Sequence, residues 1–344
     1  MEEEEPVDRF SEAPEEWNAF VRAQESWTHF HLYEWKEVIE SVFGHETEYL
    51  CCRDDRGDLV GVLPLTWVRG FLFGDFLVSM PFVNYGGPLG APQAIRTLVD
   101  AADRRARELG DVVLELRSPR RLELDFPVSE RKVSVLLDIP EEGPGRLWEE
   151  LPGSRQRQIR RAREEGTTVH FGHEQLGPFY EVFSRHMRTL GTPAQSRGFF
   201  EEIAQEFGDD VWIGVAYLQG EPAAGGFGLT WQSQVELTWV SDRIELRDSY
   251  PNMLLYWAFM ERAAEAGLDT FNFGRSTKGS GPHRFKRQWG GRDHQLRWYQ
   301  GGDSDRTGTP SPDDSRYSWG PKVWRKLPLA LTRILGPRIV KYIP

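Results

Sequence analysis

The residues best suited to chemistry lie between Asp269 and Gly291. The run Asp269-Thr270-Phe271-Asn272-Phe273-Gly274-Arg275-Ser276 reads as a buried strand that ends on a cation and a hydroxyl. Thr277-Lys278-Gly279-Ser280-Gly281-Pro282 follows and is too rich in glycine to be core. Pro282 suits the first turn of a helix. The pattern predicts a helix over Pro282–Trp289 that sets Lys286 and Arg287 beside the loop. A cation at a strand end, near backbone N–H groups freed by glycines, can hold a developing oxyanion or a phosphate. A surface turn with solvated lysines is the bland alternative.

Two further constellations are candidates to meet anions or ligands. Arg155, Arg157, Arg160, Arg161 and Arg163 fall within nine residues, with Ile159 and Ala162 left for packing. Arginine binds carboxylate and phosphate in forked geometry, and Glu149, Glu150, Glu164 and Glu165 offer the competing role of a solvated, ion-paired helix. Asn84-Tyr85-Gly86-Gly87-Pro88 follows an apolar strand. Its glycines allow close backbone approach to a ligand or simply a tight turn. His29, His31, His170 and His173 have no Cys, Asp or Glu at a spacing that demands metal, so they read as structural or surface residues. No Walker loop, dinucleotide fingerprint or G-x-S-x-G elbow occurs. Neither a metal nor a cofactor is expected.

The positioning elements read as a duplicated mixed α/β unit. Each half gives helix, helix, three antiparallel strands, helix, strand. One local echo is Ala106-Arg107-Glu108-Leu109-Gly110 before a strand ending Arg117-Ser118, matched by Ala264-Glu265-Ala266-Gly267 before the strand ending Arg275-Ser276. The expected boundaries are 8–130 for the first unit and 131–302 for the second. A basic, apolar tail, 303–344, is expected to pack on the first unit or to meet an anionic membrane. A chain of 344 residues exceeds what one core usually organises. Its net charge of −11 argues against general nucleic-acid binding. No signal peptide or apolar span is read, and adjacent Cys51 and Cys52 read as buried small hydrophobes. A cytoplasmic location follows as the expectation, with the tail able to touch the inner membrane face.

The segment 269–291 is similar to the C-terminal signature of the Fem-type aminoacyltransferases. Met80-Pro81-Phe82-Val83-Asn84-Tyr85-Gly86-Gly87-Pro88, Glu115-Leu116-Arg117, the arginine helix, Leu190-Gly191-Thr192-Pro193 and Leu335-Gly336-Pro337-Arg338-Ile339-Val340 resemble the same family. They look closest to the FemAB-related branch associated with PEP-CTERM/exosortase exopolysaccharide loci. The resemblance runs from about Trp17 to the C-terminus. It implies two GNAT-like units and N-acyl transfer, from an activated donor such as aminoacyl-tRNA or acyl-CoA to an amine on a glycan or a nucleotide- or lipid-linked precursor. It places the family's Phe-Lys pair on Phe285-Lys286, with Lys286 as oxyanion donor. Arg275, Ser276, Asn84, Tyr85, Gly86, Arg117, Arg155, Arg157 and His283 are the expected substrate-binding set, and His283 is also a candidate proton acceptor. Ser241–Tyr250 lacks the glycines with which acetyltransferases grip acyl-CoA pyrophosphate, which weakens that donor. A non-catalytic glycan-binding or scaffold protein is the opposing reading.

Overall fold

The structure, a computed structural model, describes residues 7–70, 74–110, 112–302 and 319–344. It is a mixed α/β fold built as two units, each a mixed sheet flanked by helices.

In the first unit β1 (Val7–Arg9) leads to α1 (Pro14–Arg22) and α2 (Trp35–Phe43). Next come β2 (Glu46–Arg53), β3 (Leu59–Val68), β4 (Asp75–Val78), β5 (Leu89–Gly90), α3 (Pro92–Glu108), β6 (Val112–Ser118) and β7 (Val128–Ser129). The apolar pattern predicts a strand over Phe71–Ser79, of which residues 71–73 lie outside the described residues. α3 packs on the sheet through Ala94, Leu98, Ala102 and Ala106, a 3.6-residue stripe that excludes water from Leu50, Leu63, Leu65 and Leu114. Cys51 and Cys52 are buried, unbridged and on opposite faces of β2, as alternation requires.

In the second unit β8 (Lys132–Asp138), α4 (Pro144–Glu150), α5 (Gly153–Glu164) and β9 (Thr168–Phe171) precede α6 (Leu176–Leu190) and α7 (Arg197–Phe207). Then come β10 (Val211–Leu218), β11 (Glu221–Trp231), β12 (Gln234–Asp242), α8 (Pro251–Glu265), β13 (Thr270–Thr277), α9 (Gly281–Arg287) and β14 (Arg292–Gln295). The sheet order is β14-β8-β13-β12-β11-β10-β9. Phe179, Phe200, Phe227 and Trp239 fill one side of it, with ring centroids 5.1–5.6 Å apart. Burying each such ring stabilises the fold by about 1.5–3 kcal/mol.

Two expected boundaries are corrected. β15 (Arg297–Gly302) does not close the second unit. It pairs antiparallel with β6, Trp298 opposite Arg117, because β6 has an outer edge to satisfy. After it come α10 (Trp319–Trp324) and α11 (Leu329–Val340). Of the described tail residues, 319–339 cluster with the second unit and 340–344 with the first, and 303–318 lie outside the described residues. The reason is local: Arg188 Nε of α6 donates to Leu327 O at 2.6 Å, and Arg333 Nε donates to Ser184 Oγ at 3.0 Å.

Both units contain a parallel strand pair that opens. In the first, β4 and β6 pair from Asp75↔Val112 as far as Val78↔Glu115, where β4 ends and β6 continues to Ser118. Arg117 fills the opening from the same strand: its Nε lies 2.8 Å from Glu115 Oε1, its NH1 donates to Val83 O at 3.3 Å, and its guanidinium sits 4.5 Å from the Trp298 ring. Both charged side chains are 1% exposed or less. Arg117→Ala leaves Glu115 buried without its partner and is expected to cost about 3–5 kcal/mol. Replacing both with apolar residues of similar size should recover most of that loss. Urea denaturation of the single and double variants measures the difference.

Candidate functional site

β12 and β13 pair over three positions only, Gln234↔Thr270, Val235↔Phe271 and Glu236↔Asn272. β12 runs on to Asp242 and β13 to Thr277, so the strands form a fork above Glu236 and Asn272. Gly274 sits in β13 just past the last pair with φ +71°, left-handed backbone that L side chains rarely adopt. Asn272 fixes this kink: its Oδ1 accepts from the Gly274 N–H at 2.8 Å, and its Nδ2 donates to Glu236 Oε2 at 2.9 Å. Glu236 also accepts from Thr238 Oγ1 at 3.3 Å and is fully buried.

Lys286 enters the fork from α9. Its Nζ donates to Gly274 O at 2.9 Å and Arg275 O at 3.0 Å. Two of its three protons are thereby committed and one remains. Desolvation pulls its pKa from 10.5 down to about 7, against the opposing pull of the Glu236 charge and with a further push from Arg275. Ser276, one strand step beyond, is buried, and its Oγ has no hydrogen-bond partner among the described residues. Tyr256 of α8 packs against Phe273, Phe285 and Trp289 at 5.4–5.7 Å, an aromatic wall that keeps water from the ammonium. Burial raises the Tyr256 hydroxyl above its ordinary value and keeps it protonated.

α9 runs Gly281–Arg287, two residues shorter at its C-terminal end than the sequence suggests. Ser280 caps it, accepting from the His283 N–H at 3.3 Å. Both ring nitrogens of His283 are used: Nδ1 accepts from Gly279 N–H at 3.0 Å, and Nε2 pairs with Asp293 Oδ1 at 2.9 Å. With no free lone pair, His283 holds the loop, which corrects its expected role as proton acceptor. Arg155 and Arg157 are separated by the helix they share. Arg157 is exposed. Arg155 is buried, donates to Gln158 at 2.7 Å and to Gln288, and lies 5.8 Å from the Phe285 and Trp289 rings. Among the described residues no carboxylate pairs with it, and burial pushes its pKa below the ordinary arginine value.

Asn84, Tyr85, Gly86 and Arg117 belong to the first unit, and all are buried there. Gly86 N–H donates to Arg117 O at 3.2 Å, and a Cβ at Gly87 would fall 2.8 Å from that same oxygen. These glycines thus let the turn approach the protein's own backbone closely, in line with the tight-turn alternative. Glu236 and Asn272 went unread in the sequence. Their only signal is polar residues within apolar strands, Val235-Glu236-Leu237 and Phe271-Asn272-Phe273.

An acetyltransferase (GNAT) domain family matches residues 153–287, the segment from the start of α5 to the end of α9. No curated protein matches the chain in sequence. Among solved structures, FemX is similar with TM-score 0.61 and 16% identity, over 85% of this chain and 97% of that one. L-PGS from Bacillus licheniformis is similar with TM-score 0.53 and 14% identity, over 98% of both chains. A tandem GNAT protein from the clavulanic acid biosynthesis pathway gives TM-score 0.50 and 12% identity, over 87% and 100%. The fold is a tandem GNAT fold. In the second GNAT unit the fork is thus the place where sequence match, kinked strand and desolvated lysine coincide. Gly274→Ala forces an alanine into left-handed backbone and is expected to cost about 1–2 kcal/mol. It also displaces the two carbonyls that hold Lys286. Thermal denaturation together with turnover should show both losses, and an unchanged melting point would refute the kink.

Proposed function

We propose that this chain is a Fem-type N-acyltransferase that moves an aminoacyl group from an activated ester to an amine of a cell-envelope or exopolysaccharide precursor. The observation that carries the reading is the Lys286 ammonium, held in the fork by Gly274 O and Arg275 O with one proton to spare. The acceptor amine attacks the ester carbonyl and a C–N bond forms. The carbonyl electrons move to oxygen, where the spare Lys286 N–H and the Ser276 hydroxyl meet the developing charge. Collapse breaks the ester C–O bond, and the proton lost by the amine ends on the departing alcohol. Glu236 is a positioning residue that keeps Lys286 charged. Arg155, a buried guanidinium without a carboxylate, suits an anionic part of the donor or acceptor. The exopolysaccharide-locus branch is the narrower form of this proposal and rests on the sequence motifs, as does a location at the cytoplasmic face of a membrane.

Acyl-CoA is the second donor, favoured by the acetyltransferase-domain match at 153–287. The approach to α8 speaks against it. Pro251 opens that helix without an N–H, and Glu245 and Asp248 precede it. Arg247 is bound to Asp242 at 2.7 and 2.8 Å and Arg243 to Glu245 at 3.0 Å, so neither cation is spare for a pyrophosphate. Incubating the protein with labelled aminoacyl-tRNA or labelled acyl-CoA and an envelope extract decides the donor. Label moving from the tRNA is expected; label moving from neither supports the binding-protein reading.

Lys286→Ala is expected to lower turnover per folded molecule by about 10²–10³-fold, and to lower the melting temperature as well, because Gly274 O and Arg275 O lose their donor. Because the ammonium is the working form, wild-type turnover should fall as pH rises through about 7. That limb should vanish in Lys286→Ala. In Glu236→Gln it should move to lower pH, because the charge that opposes desolvation is gone. A pH–rate profile rising through the same range would instead make the neutral amine the working form.

A further inference from the structure

We infer that α10 and α11 form a docking surface for an anionic lipid bilayer. This goes beyond the acyl-transfer reading and stands independently of it. One face of the tail is fixed to the second unit. Trp324 and Thr332 are buried, Arg325 NH2 donates to Leu190 O at 3.0 Å, and Arg188 grips Leu327 O. A Cβ at Gly336 would fall 2.9 Å from Ala194 O, so the helix lies close against the loop after α6.

The other face is unlike the rest of the protein. Val323 is 53%, Leu331 38% and Ile334 57% exposed, and Leu190 at the adjoining end of α6 is 45% exposed. These are four of the six exposed large apolar side chains among the described residues. Leu331 and Ile334 are three apart on α11 and share a face. The exposed cations of the two helices outside the fixed face are Lys322, Lys326 and Arg338. From 321 to 344 the chain has six basic residues and no acidic one, within a protein of net charge −11. Among the described residues none of the six is in an ion pair. Self-association would oppose these cations to one another. Binding to single-stranded nucleic acid uses aromatic platforms for base stacking, whereas the exposed apolar side chains here are aliphatic. Aliphatic side chains together with cations match the acyl-headgroup boundary of an anionic bilayer. Among the described residues no helix is long and apolar enough to cross a membrane, so the contact is peripheral.

The test is flotation of the full chain with vesicles of phosphatidylglycerol in phosphatidylcholine, beside vesicles of phosphatidylcholine alone. Flotation on the anionic vesicles only, weakened by salt, is expected. Lys326→Ala should lower the partition coefficient about fivefold, and Leu331→Asp with Ile334→Asp should abolish flotation. These side chains point to solvent, so melting temperatures should stay unchanged, which separates lost docking from misfolding. Equal flotation on neutral vesicles, no flotation, or flotation indifferent to the Asp substitutions would overturn the inference. So would a DNA oligonucleotide binding more tightly than the vesicles and equally to wild type and the Asp variants. Acyl transfer to a soluble acceptor should be unaffected by these variants, so failure of one proposal does not imply failure of the other.

Discussion

Two parallel strands that separate leave backbone carbonyls without a sheet partner, and the second unit is organised around that debt. A buried carbonyl left unpaired costs about 1–3 kcal/mol, so some donor has to fill the gap between β12 and β13. Lys286 does so for both Gly274 and Arg275. The same two bonds that complete the backbone also immobilise an ammonium in a desolvated place. Its depressed pKa follows from that position, with Glu236 beneath it as the partial counterweight. Structural need and chemical capacity are here one interaction.

The first unit meets the same geometric problem differently. Its fork is closed from within by Glu115 and Arg117, a pair on one strand, with Ser79 accepting from the Arg117 N–H at 2.8 Å. The Arg117 charge is answered there by Glu115 of the same strand. The second unit brings its cation from outside the strand pair, on a separate helix. A duplicated fold has thus kept one opening sealed and the other furnished.

That separate helix cannot stand by itself. Seven residues are far below the length at which an isolated helix is stable in water. α9 is held by its Ser280 cap, by His283 strung between Gly279 and Asp293, and by the packing of Phe285 and Trp289 beneath Arg155. His283 and Arg155 therefore both help to hold the helix that carries Lys286.

The sequence by itself determined the order of the main helices and central strands, their repetition and the strand–loop–helix that carries Lys286, because apolar periodicity, Pro282 and the glycines are local signals that survive without a fold; the short strands β1, β5, β7, β9 and β14 gave no such signal. It did not reveal that Glu236 and Asn272 meet, since residues 36 apart become neighbours only through strand register. Nor did it separate Arg155 from Arg157, because the direction of a helix face is set by what the helix packs against. The destination of β15 and of the tail was likewise hidden: β15 follows the free edge of β6, and the tail follows donors on α6. Tertiary structure decided these, because hydrogen-bond completion and burial belong to pairs of elements and not to any one stretch of chain.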